Sequence, residues 1–169
     1  MATFKVQGGI KLKGELHPQG AKNEALQVLC AVLLTPEEVI MENVPNIRDV
    51  NILIDLLRDL NVKVNQINEE TYSFKADEVD VDYLSSDDYK VKSSRIRGSI
   101  MIVGPLLARY GKGYIPRPGG DKIGRRRLDT HFIGFENLGA KFVYDSKEEF
   151  YRVTAKELKG AYMLLDEAS

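Results

Sequence analysis

Residues 116–130 read PRPGGDKIGRRRLDT: a carboxylate, Asp121, lies among glycines and a run of cations, directly before an apolar, helix-like stretch. A carboxyl group in such a loop serves either as a general acid or as a turn former that accepts backbone N–H bonds. Clustered guanidinium groups grip phosphate or carboxylate in forked geometry. Cations recur at other helix starts. Lys22 precedes one predicted helix, Arg48 a second, Arg95 and Arg97 a third, and Arg125, Arg126 and Arg127 a fourth. A helix N-terminus already carries partial positive charge, so a basic side chain there is unfavourable by about 0.3–1 kcal/mol. An anion bound to the unpaired N–H groups removes that conflict, and Gly119, Gly120 and Gly124 let the backbone approach it closely. Any one of these sites alone reads as solvated surface charge. The four helix starts together read as an anion-binding cleft.

Other chemistries fit less well. The loop lacks the G-x-x-x-x-G-K-[ST] of a Walker A turn, and no GxGxxG follows a strand. A formal net charge of −1, with no aromatics interleaved in the arginine run, speaks against nucleic acid. No apolar run reaches membrane-spanning length and MATFKVQGG has no signal-peptide core, so a cytoplasmic protein without a membrane partner is expected. The only cysteine, Cys30, sits in LQVLCAVLL and reads as a small buried hydrophobe. His17 and His131 are far apart, and nothing suggests a zinc site.

Four helices and two hairpins are predicted to position these groups. Residues 23–34 (NEALQVLCAVLL) are apolar nearly all round and read as a buried helix stopped before Pro36. Residues 48–60 are amphipathic, with Val50, Leu53, Ile54 and Leu57 at helical spacing. Residues 97–109 form a second mostly apolar helix, and residues 128–138 a second amphipathic one with Gly139 as its C-cap. A hairpin follows each pair. Residues 60–76 match residues 138–155, with turns at Glu69–Glu70 and Glu148–Glu149. The order βαβαββ is therefore expected twice, in units that share apolar faces.

Leu12-Lys13-Gly14 and Leu158-Lys159-Gly160 read as the starts of the first unit and of a third. The units cover about residues 17–78, 79–157 and 158–169, behind an N-terminal strand segment at 1–16. Pro45 aligns with Pro118 at an offset of 73 residues, but Leu60 aligns with Leu138 at an offset of 78. About five residues are thus inserted within GGDKIGRRR, and insertions in repeats commonly fall in loops on the binding face.

GAKNEAL (20–26), SSRIRGSIMIVGPLLARYG (93–111) and PGGDKIGRRRLDTH (118–131) together resemble the UDP-N-acetylglucosamine 1-carboxyvinyltransferases, members of the enolpyruvyl transferase family. The resemblance is in register over the whole chain. It implies an α/β (α+β) fold of the inside-out barrel type, two domains each of three βαβαββ units, of which about two units are present here. Residues 17–169 would then be an incomplete catalytic domain, whose partner is the missing C-terminal part of its own chain. The segment 1–16 would pack with either domain.

The implied reaction moves the enolpyruvyl group of phosphoenolpyruvate to the 3′-hydroxyl of UDP-N-acetylglucosamine and releases phosphate. It is the first committed step of peptidoglycan synthesis, and it runs through a tetrahedral intermediate without metal or organic cofactor. By motif position Lys22 and Asn23 contact phosphoenolpyruvate, Arg97 contacts the sugar nucleotide, and Arg126 contacts phosphoenolpyruvate or the intermediate. Arg126, Arg127, Leu128, Asp129 and Thr130 match the family's uridine-binding segment. Glu167 stands near a further nucleotide contact, where the family often has lysine.

Two departures from the family matter. Proline is common where Arg127 stands, and cysteine is usual where Asp121 stands. Members with aspartate there retain activity and resist fosfomycin, which alkylates the thiol, so insensitivity to that drug is expected. A thiol of pKa about 8.5 arrives protonated, whereas a carboxyl of about 3.9 does not. As general acid, Asp121 needs its pKa raised by substrate charge and exclusion of water, against Lys122 and Arg126.

The chain alone is expected to be inactive, because the second domain supplies the group that takes the hydroxyl proton. Apolar faces left open by a missing unit favour self-association. A transferase acting on shikimate 3-phosphate is a related alternative. A stand-alone nucleotide- or polyanion-binding module is an unrelated one, and steep salt dependence would mark it.

Overall fold

Each unit contains the order helix, strand, helix, strand, strand, preceded in unit two by an extra helix, in the structure, a computed structural model that describes residues 3–115, 128–147 and 150–165. Unit one comprises α1 (Lys22–Ala31), β1 (Glu38–Met41), α2 (Arg48–Asp59), β2 (Lys63–Gln66) and β3 (Tyr72–Lys75). Unit two comprises α3 (Asp87–Ser93), α4 (Val103–Tyr110), β4 (Lys112–Ile115), α5 (Asp129–Asn137), β5 (Lys141–Asp145) and β6 (Phe150–Thr154). The last strand of each unit is central and antiparallel to both neighbours, in the orders β1-β3-β2 and β4-β6-β5. Register sets Val39 and Val64 against Phe74, and Gly113 and Phe142 against Val153, so Phe74 and Val153 are fully buried.

The second helices end alike. Val62 and Asn61 donate to the carbonyls of Leu57 and Arg58 at 3.0 and 2.9 Å, while Ala140 and Gly139 donate to those of Phe135 and Glu136, both at 2.9 Å. This is a Schellman cap, and it requires a left-handed residue after the helix. Asn61 (φ 64°) and Gly139 (φ 98°) supply it. The capping role of Gly139 is present, and so is the expected repeat apart from its leading strand.

Four expectations need correction. The leading strand of each unit does not form among the described residues. Residues 3–21 carry no regular element, and Phe4, Val6, Leu12 and Leu16 stand in solvent. A strand is stable only where a neighbour takes its backbone groups, and no described strand pairs with this stretch. At the start of unit two the Asp80 carboxylate accepts from the N–H groups of Asp82 and Tyr83, which winds the chain into a short 3-10 turn at Tyr83–Ser85. The residues after Gly160 are likewise without a strand as far as 165.

The other three corrections concern helices. The first helix becomes a 3-10 turn at Val32–Leu34 before Thr35. The stretch 97–109 divides into a 3-10 turn (Arg97–Ile102) and α4, because Pro105 has no N–H to donate and is tolerated only in a helix's first turn. Helix α3 was not foreseen. Its Ser86 cap accepts from the Tyr89 N–H at 3.0 Å, with acids in its first turn and lysines in its last.

One apolar core joins the units: Leu29, Leu33, Leu53, Leu57 and Phe74 from unit one meet Tyr89, Ile102 and Leu106 from unit two. A smaller core of Ile100, Val103, Leu107, Ile115, Ala140 and Val153 lies under α5. Arg109 ties the units through polar contacts. Its guanidinium donates to the carbonyls of Leu33, Thr35 and Ala76 at 3.2, 3.2 and 2.7 Å.

A candidate anion-binding cleft

Three chain segments converge on one cleft of about 710 Å³: the start of α1, the start of α2, and the turn after α3. Helix α1 brings Lys22 and Asn23, α2 brings Arg48, and the turn brings Arg95 and Arg97. Gly98 sets their spacing. A Cβ there would lie 3.1 Å from Leu26 Cδ1, so glycine lets the turn that carries Arg97 close against α1.

The residues at the N-cap positions of these elements, Ala21, Ile47 and Ile96, provide no side-chain cap. Helix α3, whose start lies outside the cleft lining, has its serine cap. N–H groups without a side-chain acceptor therefore gather where the basic side chains gather, the arrangement that favours a bound anion. Lys22 Nζ donates to Asp49 Oδ2 at 3.1 Å across the two helix starts. Both side chains are nearly half exposed, and such a pair contributes only about 0–1 kcal/mol to stability.

Of the residues singled out from the sequence, Lys22, Asn23 and Arg97 line this one cleft. Leu128, Asp129 and Thr130 are half-buried at the start of α5, with Leu128 packed on the smaller core. The next residue, His131, reaches the cleft wall. Asp121, Arg126, Arg127, Glu148–Glu149 and Glu167 lie outside the described residues.

Arg48 and Arg95 had been noted only as helix-start cations, and Asp49, Gln27 and His131 had not been singled out for the site. The signal for Asp49 is its place beside Arg48 in a helix's first turn. For His131 it is the repeat itself, because the register that matches Leu60 with Leu138 sets His131 against Leu53, a core residue.

Cys30 takes no part. Its buried thiol donates to the Leu26 carbonyl at 3.2 Å, and burial pushes its pKa up to about 12, so thiolate chemistry is closed to it. Among the described residues no group of His, Cys, Asp and Glu is arranged to hold a metal ion, and no helix is long and apolar enough to cross a membrane.

The family model described as EPSP synthase (3-phosphoshikimate 1-carboxyvinyltransferase) matches residues 6–169. The chain belongs to this family. A UDP-N-acetylglucosamine 1-carboxyvinyltransferase of Bacteroides fragilis is 59% identical over 169 residues, which is all of this chain and 39% of that protein. The enzyme of the same name from Porphyromonas gingivalis is 54% identical over the same coverage. The chain thus spans about 39% of the length of these curated relatives.

Among solved structures, the enolpyruvyl transferase NikO of Streptomyces tendae superposes with a TM-score of 0.71 at 20% identity, over 89% of this chain and 32% of that one. An EPSP synthase of Acinetobacter baumannii gives 0.61 at 14% identity, over 92% of this chain and 35% of that one. These likenesses establish the α/β fold of the EPSP synthase family, built here from its repeating unit.

Proposed function

We propose that this chain is the N-terminal part of a UDP-N-acetylglucosamine 1-carboxyvinyltransferase, a cytoplasmic enzyme of cell-wall synthesis. The convergence of Lys22, Asn23 and Arg97 with Arg48 and Arg95 in one cleft carries the reading, since phosphoenolpyruvate and the sugar nucleotide are both polyanions. The choice of acceptor follows from the names of the relatives that are more than half identical.

Lys22 and Asn23 hold the phosphate and carboxylate of phosphoenolpyruvate, and Arg97 meets the nucleotide diphosphate. Arg126, Arg127, Leu128, Asp129 and Thr130 contact the nucleotide, with Arg126 also reaching phosphoenolpyruvate. Asp121 gives a proton to C3 as the 3′-hydroxyl oxygen bonds to C2 and passes its own proton to a group supplied by the missing domain. Loss of a proton from C3 and departure of phosphate from C2 then restore the double bond. Cations that strengthen their hold as charge develops on the phosphate lower the barrier to its departure.

The test is a chimera in which residues 1–169 replace the matching part of the Bacteroides fragilis relative. Phosphate release from phosphoenolpyruvate that depends on UDP-N-acetylglucosamine is expected, while the 169-residue chain by itself turns nothing over. The family model's own description favours shikimate 3-phosphate as the rival acceptor, and phosphate release with that acceptor alone would reverse the assignment.

Fosfomycin leaves the chimera active because Asp121 offers no thiol, and a covalent adduct at that loop contradicts this. Asp121→Cys shifts the limb of the pH–rate profile that reports the proton donor, and profiles that superimpose remove Asp121 from that role.

A further inference from the structure

Resting on the reading above, we propose that Asp49 is a positioning residue for Lys22: it holds the ammonium group in the cleft, aimed to receive the phosphate or carboxylate of the enolpyruvyl donor. The two residues lie in the first turns of α2 and α1, 27 positions apart in sequence, with Lys22 Nζ donating to Asp49 Oδ2 at 3.1 Å. Both line the cleft beside Arg48, Arg95 and Arg97.

Lysine is a strongly hydrated point charge on a flexible four-carbon stem. In a cleft that it shares with three arginines, it is driven outward into water unless a negative group holds it back. Asp49 is that group, and the positive end of the α2 dipole favours its carboxylate there. With side chains 44% and 40% exposed, the pair does little for the fold; its consequence is the direction of Lys22. An ammonium has three donors. One goes to Asp49 and two remain for a ligand, so an incoming anion adds to the pair rather than displacing it.

Titration of the chimera, in which residues 1–169 are joined to the rest of the relative, with phosphoenolpyruvate tests this. Asp49→Asn weakens binding about tenfold, which is about 1.4 kcal/mol, and Asp49→Glu recovers most of the loss. In a Lys22→Gln background Asp49→Asn changes nothing further. Binding by Asp49→Asn as tight as the parent's, or an equal loss with and without Lys22, overturns the proposal. The nitrogen resonance of the Lys22 ammonium, read without ligand, separates this role from the functional reading. If the parent takes up no phosphoenolpyruvate, that reading fails. A Lys22 signal that is sharp in the parent and lost in Asp49→Asn still supports positioning by Asp49, and a signal unchanged between them overturns it.

Discussion

Helices α2 and α5 end in the same hydrogen-bond pattern, so their residues can be laid side by side: Leu53 against His131, Ile54 against Phe132, Leu56 against Gly134, Leu57 against Phe135. In α2 all four are buried in the main core. In α5 none is. Phe132 and Phe135 are half-buried over the smaller core, with Phe132 4.9 Å from the rings of both Phe142 and Tyr151. Gly134 gives up the side chain that Leu56 supplies, and His131 turns a core position into part of the cleft wall. The two copies teach that a repeated unit keeps its backbone signals while one copy's inward face loosens its packing and gives a residue to the cleft wall. Unit one carries the packing, and unit two carries the variation.

The largest test of that contrast is Leu53→Ala, which should cost about 2–5 kcal/mol in thermal or denaturant unfolding. His131→Ala in the matching position should move stability by only about 0.5 kcal/mol. Equal losses would erase the distinction between the faces. Next is Arg109→Ala. It strips a guanidinium from three carbonyls of unit one and should cost about 2 kcal/mol, seen as a lower denaturant midpoint. Loss of cooperativity, with two separate transitions, would show that Arg109 rather than the shared core couples the units.

A smaller effect is expected at Arg97→Gln. Affinity for UDP-N-acetylglucosamine should fall about tenfold, or about 1.4 kcal/mol, by calorimetry. Affinity equal to the parent's would detach Arg97 from nucleotide binding.

The smallest effect concerns pH. Hydrogen bonds from Lys63, and then Lys75, hold the Asp77 carboxyl below its ordinary range. Its folded pKa is depressed, so its contribution is complete above the unfolded value of about 3.9. The contribution is lost as pH falls through the lowered value. Asp77→Asn should flatten the acid limb of the stability profile below about pH 4, whereas Lys156→Asn, at the matching place in unit two, should leave it intact. A flattening by both would assign the limb to charge in general.

Much of this arrangement is legible in the sequence because its causes are local. Helical spacing at Val50, Leu53, Ile54 and Leu57 announces α2, and Gly139 announces the end of α5. The insertion between Pro118 and Leu138 marks where unit two departs from unit one. What escapes reading depends on partners far along the chain. Leu12-Lys13-Gly14 looks like a strand opening, but strand formation is decided by a neighbour that local pattern does not reveal. Helix α3 hides because DDYKVKS carries little apolar periodicity, and its Ser86 cap is the only strong cue. The cleft cations are visible as a pattern of helix starts, whereas the Lys22–Asp49 pair requires knowing that α1 and α2 begin side by side.

Arg109 and the shared core give the chain an unusual tolerance. The link between the units runs through residues 77–86, where Leu84 is buried in the shared core and Val79, Val81 and Tyr83 pack against it, so both sides of the link are held by the core as well as by Arg109. A protease nick in that connector should leave two pieces that elute as one particle and part only on denaturation.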